Sequence, residues 1–105
     1  MRSARRPEHP HREHEQRFAW YVEDIIAACG LTRVDYSVAG DRAIRIPRVI
    51  SVNPGPPVSV DVRILSGQLA SDFATHAEAI AYDLEVSEVR VVPIGPSVIR
   101  LELLS

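Results

Sequence analysis

The sequence of 105 residues predicts a two-layer α+β domain, with two helices on one face of a four-stranded, mostly antiparallel sheet. Three observations favour this class. Apolar residues recur at helical spacing in two separate segments, apolar and polar residues alternate in others, and proline–glycine turns divide the alternating segments. The predicted order of elements is therefore α-β-β-α-β-β, with both helices packed on the same side of the sheet.

The first predicted helix runs from Glu15 to Cys29. Its apolar residues lie three or four positions apart and form the stripe of an amphipathic helix: Phe18, Tyr21, Val22, Ile25, Ile26 and Cys29. Gly30 is the expected stop, because glycine readily adopts the backbone conformation that ends a helix. Trp20 lies off the stripe, so we expect it to be exposed and to bind a protein partner.

A loop and the first strand are predicted to follow this helix. Residues 31–42 are polar and favour a loop with a short extended piece at residues 36–38. Residues 43–52 are rich in β-branched side chains and predict a strand. Pro47 lies within that strand and indicates an edge position or a bulge, because proline cannot donate a hydrogen bond to a neighbouring strand.

The second strand is the clearest one in the sequence. Residues 53–57 contain one glycine and three prolines, which predicts a turn. In residues 58–64, valine and isoleucine then alternate with Ser59, Asp61 and Arg63. We therefore expect one face of this strand to be buried and the other to be in contact with water.

The second helix is predicted to begin after Ser71, a candidate N-cap, with Asp72 in its first turn. It should end near Glu85, and its apolar residues repeat at helical spacing: Phe73, Ala77, Ile80, Ala81 and Leu84. Residues 87–92 and 98–104 are predicted to be the last two strands, joined by a turn. In the final strand the core residues should be Ile99, Leu101 and Leu103.

Composition and charge exclude several classes of function. A net charge of −2 and a pI near 6.0 argue against a strongly basic chain that coats nucleic acid. No apolar run is long enough for a membrane helix, and no secretory signal is visible, so we expect a cytoplasmic protein. Cys29 is the only cysteine and all twelve basic residues are arginine. This excludes an intramolecular disulfide, a cysteine-built metal site and chemistry that needs lysine.

Residues 1–15 predict a flexible tail rich in arginine and histidine, ahead of a single domain at residues 16–105. His9, His11 and His14 would chelate a metal only in an ordered segment, and a solvated tail is the preferred interpretation. The sequence shows no nucleophile elbow, glycine-rich phosphate loop or enforced pair of carboxylates. We therefore expect no enzymatic activity, no cofactor, no metal and no small-molecule substrate.

Charges of both signs alternate on the expected wet face of the sheet: Asp61, Arg63, Glu88, Arg90, Arg100 and Glu102. Opposite signs in register favour cross-strand ion pairs, and so a charge-balanced face or a subunit interface. A nucleic-acid surface is the alternative. Its candidate contacts are arginines of the tail and the sheet: Arg5, Arg6, Arg12, Arg63, Arg90 and Arg100.

A longer pattern resembles a known domain. It begins with a Gly-Pro turn and a strand at residues 55–67, followed by a helix with Asp72-Phe73 near its start and Ala-x-x-Leu at its end. A Val-Arg-Val strand from Val89 and a closing Leu-Glu strand complete the pattern. It resembles the pre-motor, beta-type domain of FtsK/SpoIIIE-family DNA translocases, of the actinobacterial plasmid-transfer or phage type. The resemblance covers about residues 20–104, and residues 28–33 also resemble the lead-in of such members.

The resemblance implies a non-catalytic interaction or oligomerisation module. Those translocases continue into an ATPase motor with a Walker A lysine, whereas this sequence contains no lysine. We therefore expect an accessory module without the motor, encoded by a phage or mobile element, that self-associates or docks on a related translocase or phage protein. Two alternatives stay open: a small accessory protein that binds duplex DNA, and a structural or connector protein of a phage particle.

Overall fold

The computed structural model describes residues 10–105, with side chains from residue 14 onward, and confirms the α+β class. Its elements are α1 (Pro10–Ala28), β1 (Arg33–Tyr36), β2 (Arg42–Arg45), β3 (Arg48–Asn53), β4 (Val58–Arg63), α2 (Ala70–Ala74), α3 (Ala77–Leu84), β5 (Glu88–Gly95) and β6 (Val98–Leu104). The main sheet has the strand order β3-β4-β6-β5, and all of its strand pairs are antiparallel. Strands β1 and β2 form a separate antiparallel hairpin.

One apolar core lies between the helices and one face of the main sheet. α1 packs against β3, α2 and α3 pack against β5, and α1 also contacts α3. The alternation along β6 places Ile99, Leu101 and Leu103 in this core, as predicted. Burial of each such side chain contributes about 1.5–3 kcal/mol, and the core includes Val22, Ile26, Val60, Val62, Phe73, Ile80, Ile99 and Leu101.

The first helix is longer than predicted. α1 includes Pro10 and the residues up to Glu15, which were expected to belong to the tail. Proline is well suited to a first helical turn, where no backbone N–H is needed for the helix hydrogen bonds. Gly30 has a φ of +82° and ends the helix as predicted. The remainder of the predicted tail, residues 1–9, lies outside the described residues.

The segment between α1 and β3 differs from the prediction. The expected loop contains β1, and the single strand expected at residues 43–52 is divided into β2 and β3 by Ile46 and Pro47. Pro47 is fully buried and cannot donate a backbone hydrogen bond, so the ladder breaks there. β3 is an edge strand of the main sheet, and its register shifts between Val49 and Ser51. The edge position indicated by Pro47 is therefore confirmed for β3.

The second predicted helix is divided into α2 and α3 at Thr75 and His76. The Thr75 hydroxyl donates to the carbonyl oxygen of Ser71 at 2.9 Å, and His76 Nδ1 lies 3.0 Å from the carbonyl oxygen of Asp72. Both carbonyl oxygens belong to residues of α2 itself, so the two side chains compete with the hydrogen bonds of the helix, which accounts for the interruption.

The cap predicted for the second helix is also wrong. Leu69, and not Ser71, is the N-cap residue, and its N–H donates to the Asp72 carboxylate at 2.8 Å. The end of α3 agrees with the prediction, because Glu85 follows it in the left-handed conformation with φ +60°.

Candidate interaction surfaces

The polar face of the main sheet centres on Asp61, which is only 8% exposed although the helices pack against the opposite face. Arg100 covers it from β6, donating from Nε to one carboxylate oxygen at 2.8 Å and from Nη2 to the other at 3.3 Å. The Ser51 hydroxyl donates to the same carboxylate at 2.9 Å. The hydrogen bond from Arg100, followed by that from Ser51, outweighs the effect of burial and holds the pKa of Asp61 below its usual value.

A second ion pair lies beside this cluster. Arg90 on β5 and Glu102 on β6 are cross-strand partners, and their charged atoms are 3.7 Å apart. The cross-strand ion pairing predicted for this face is therefore confirmed for Arg100 with Asp61 and for Arg90 with Glu102. Both arginines were candidate nucleic-acid contacts. Nucleic-acid binding by Arg90 and Arg100 stays a prediction, and the carboxylates of Glu102 and Asp61 already balance the charges of these arginines.

Arg63, a third candidate contact, is placed differently. Its partner across the β3–β4 ladder is Arg48, and neither arginine forms a salt bridge within residues 14–105. Like charges directly opposite each other destabilise a sheet. This pair thus has positive charge that the described part of the chain does not neutralise.

A cleft of about 680 Å³ lies between the β1–β2 hairpin and this end of the main sheet. Four arginines line it, and we call it the arginine cleft: Arg33, Arg45, Arg48 and Arg63. Arg33 and Arg45 are themselves cross-strand partners in the hairpin. One acid, Asp35, also lines the cleft and lies 3.2 Å from Arg45, so four arginines and one aspartate give a net charge of +3.

Sequence reasoning missed three of these arginines, Arg33, Arg45 and Arg48. The recurrence of arginine at residues 42, 45 and 48 was a visible signal. A single strand over residues 43–52 would not reveal this signal, because it is the break at Pro47 that lets Arg45 line the cleft from the hairpin and Arg48 line it from the main sheet.

The β1–β2 hairpin is exposed along its whole length. Its two strands pack on each other and make little contact with other elements. Apolar side chains are nevertheless prominent on it: Val34 and Ile44 are cross-strand partners that are 46% and 63% exposed, Tyr36 is 67% exposed, and Val38 in the connecting turn is fully exposed. Contiguous exposed apolar residues of this kind are typical of interaction sites.

Trp20 on α1 is 56% exposed, so its predicted exposure is confirmed, whereas its role in partner binding stays a prediction. Tyr21 was placed on the buried stripe but is half-exposed. Its hydroxyl donates to the carbonyl oxygen of Asp83 at 2.9 Å, which fastens α1 to the end of α3.

The remaining candidate residues are those of the predicted tail and Cys29. Arg5, Arg6 and His9 lie outside it, and Arg12 and His11 lie in the first turns of α1. Cys29 is half-buried, and burial, followed by the charge of Asp83, raises the pKa of its thiol. Residues 14–105 contain no group of three side chains arranged to hold a metal ion. In the same part of the chain, no helix has the length and apolar character needed to span a membrane.

Comparison with known proteins identifies a family. The family model described as "Actinomycete conjugal transfer protein N-terminal domain" matches residues 12–105, which is most of the chain. No curated protein matches the sequence. The family match supports the actinobacterial, plasmid-transfer context predicted from the sequence, whereas the relationship to FtsK/SpoIIIE translocases stays a prediction.

Proposed function

Because this chain belongs to the family of actinomycete conjugal transfer protein N-terminal domains, we propose that it is a non-catalytic interaction module of plasmid transfer. Its partner is a protein of the transfer apparatus: a second copy of the chain or, following the resemblance, an FtsK-type DNA translocase. The β1–β2 hairpin is the docking element. The family match to conjugal transfer proteins favours plasmid transfer over the phage-particle alternative.

The exposure of the hairpin is the observation that carries this proposal. A two-stranded hairpin is marginally stable in water unless another surface packs against it. Here Val34, Tyr36 and Ile44 are between 46% and 67% exposed, so the hairpin gains little from the domain's own core. A partner that covers these side chains would supply the missing apolar burial.

The backbone of the hairpin offers a second kind of contact. A two-stranded sheet has unpaired N–H and C=O groups along both outer edges, and an incoming strand can pair with them. Main-chain pairing would fix the orientation of the partner, and the exposed side chains of Val34 and Tyr36 would supply the binding energy. This combination needs no catalytic group.

The test is sedimentation velocity of the purified chain, alone and mixed with a purified FtsK-type translocase from an actinomycete conjugative plasmid. We expect either a dimer or larger species of the chain itself, or a complex with the translocase. The double variant Val34→Thr/Tyr36→Thr keeps residues that favour strands but removes apolar surface. We expect the Kd of the assembly to be at least about tenfold higher for this variant than for the wild type.

Ile94→Thr is the matched control, because Ile94 is 42% exposed but lies in β5, away from the hairpin. It should assemble like the wild type. Far-UV circular dichroism and the urea midpoint establish that each variant is folded. A wild-type chain that stays monomeric and binds no translocase, or a double variant that assembles normally, would refute the docking role.

A further inference from the structure

The arginine cleft carries a net charge of +3 in a chain whose overall charge is −2. Two pairs of like charges form its walls. Arg33 faces Arg45 across the hairpin ladder, and Arg48 faces Arg63 across the β3–β4 ladder. Apart from the contact between Arg45 and Asp35, no carboxylate in residues 14–105 forms a salt bridge with these four side chains.

The two pairs of opposed arginines destabilise the isolated domain. Direct cross-strand partners lie about 4.5–5.5 Å apart at Cβ, and like charges at that distance repel each other. Elsewhere on the same sheet the chain pairs arginine with acid, as in Arg100 with Asp61. A local arrangement that opposes stability is expected where residues serve a ligand, and the ligand that relieves this repulsion is an anion.

The lining residues and the volume of the cleft indicate which class of anion it would bind. Two neighbouring guanidinium groups can together bind one tetrahedral phosphate, because each presents a planar fork of N–H donors. The half-buried side chains of Ile46 and Leu65 also line the cleft and offer an apolar surface beside the charges. A volume of about 680 Å³ is in the range of small-ligand sites.

We propose that the arginine cleft binds a nucleotide unit, with its phosphate on Arg48 and Arg63 and its base against Ile46 and Leu65. A free nucleotide and one nucleotide of a single strand share this chemistry. The hairpin arginines Arg33 and Arg45 line the same cleft, so a nucleotide that they also contact would tie the hairpin to the main sheet. The inference does not depend on the proposed docking role.

The test measures binding of ATP and of a short fluorescent oligothymidylate to the full chain, at low and at physiological salt. We expect at least one of the two probes to bind. Arg48→Ala and Arg63→Ala should each raise its Kd by roughly tenfold, since each removes a charge-assisted hydrogen bond. For the oligothymidylate, each substitution should also lower the slope of log Kd against log salt by about 0.7.

Arg17→Ala and Arg42→Ala are the matched controls, because both arginines are exposed, without a salt bridge among the described residues, and outside the cleft. They should leave Kd within about twofold of the wild type. Binding of ATP would show that the cleft accepts a free nucleotide. Binding of the oligothymidylate alone would show that the ligand is single-stranded nucleic acid, and either result supports the proposed site. Val34→Thr/Tyr36→Thr should retain this binding, which separates it from partner docking.

Two results would overturn the proposal. The first is that neither phosphate probe binds the wild-type chain. In that case, binding of an oligoglutamate peptide that is weakened by Arg48→Ala and Arg63→Ala would make the cleft a groove for an acidic peptide. The second is that Arg48→Ala and Arg63→Ala bind the phosphate probes as tightly as the wild type.

Discussion

The carboxylate of Glu23 on α1 accepts a hydrogen bond from the backbone N–H of Val49 on β3, at 2.9 Å. β3 is an outer strand of the main sheet, and free N–H groups on an outer strand can pair with another chain. The bond therefore has two consequences. It ties the middle of α1 to the sheet, and it withdraws one edge N–H from pairing with a foreign strand.

Removal of this carboxylate should weaken the fold. We expect Glu23→Ala to lower the free energy of unfolding by about 1 kcal/mol, because the half-buried N–H of Val49 loses its acceptor. Urea denaturation followed by circular dichroism measures the change. Asp24→Ala, at the exposed neighbouring position, should change the stability by less than about 0.5 kcal/mol. Equal losses for the two variants would show that the bond to Val49 contributes nothing specific.

The ion pair between Asp61 and Arg100 should make stability depend on pH. Because the pKa of Asp61 is lowered in the folded state, its carboxylate stabilises the fold above the unfolded-state pKa, and this contribution is lost as the pH falls through the folded-state pKa. Asp61→Asn should therefore be less stable than the wild type at pH 7, by about 1 kcal/mol after solvent screening. The difference should shrink below about pH 4.

Ser51→Ala is the control for this pH dependence. It removes the 2.9 Å hydrogen bond to Asp61 but leaves Arg100 in place, so most of the acid-sensitive stability should remain. Urea midpoints at several pH values between neutral and acidic give the pH dependence of stability for each variant and for the wild type. A constant difference between Asp61→Asn and the wild type across that range would contradict the assignment of the lowered pKa to this ion pair.

The opposed arginines should make the domain less stable than it could be. We expect Arg48→Ala to raise the free energy of unfolding by about 0.5 kcal/mol in the absence of ligand, because it removes like-charge repulsion with Arg63. Added salt screens that repulsion, so the gain should decrease at high salt. Arg42→Ala, on the exposed hairpin, should not show this salt-dependent gain. A loss of stability in Arg48→Ala would mean that packing of the side chain outweighs the repulsion.

The end of α3 should tolerate glycine better than its present residue. Glu85 is exposed and adopts a left-handed conformation with φ +60°, which costs energy for any residue with a Cβ. Glu85→Gly should therefore raise the free energy of unfolding by about 0.5–1 kcal/mol. Ala79→Gly, inside the same helix, should lower it by about 1 kcal/mol. Thermal and urea denaturation measure both changes in the free energy of unfolding. Opposite signs would show that the effect of glycine depends on the backbone conformation at each position.

Local pattern was sufficient for much of the fold. The helical stripe from Phe18 to Cys29 identified α1, and the alternation along β4 and β6 identified the central strands. Both signals are strong because each repeats over several residues and one face must be buried. The N-terminal limit of α1 and the division between α2 and α3 were not predicted. They depend on the start at Pro10 and on the side-chain bonds of Thr75 and His76.

The candidate sites were less predictable than the fold. Alternating charges predicted the ion pairs of Asp61 and Glu102, since cross-strand partners follow once the hairpins are known. Trp20 was expected to be exposed because it lies off the apolar stripe. The hairpin β1–β2 was missed because it is short and is not amphipathic against the core, so its residues carry no burial pattern.

The sequence by itself determined the α+β class, the core face of the central strands and the mixed charges of the opposite face, because these follow from short-range periodicity and from the need to bury apolar side chains. Tertiary structure alone decided which charges meet. Register pairs Arg100 with Asp61 but sets Arg48 opposite Arg63, and the break at Pro47 turns the hairpin so that four arginines line one cleft. Electrostatic attraction and repulsion depend on distances between residues far apart in the chain, and only the folded chain sets those distances.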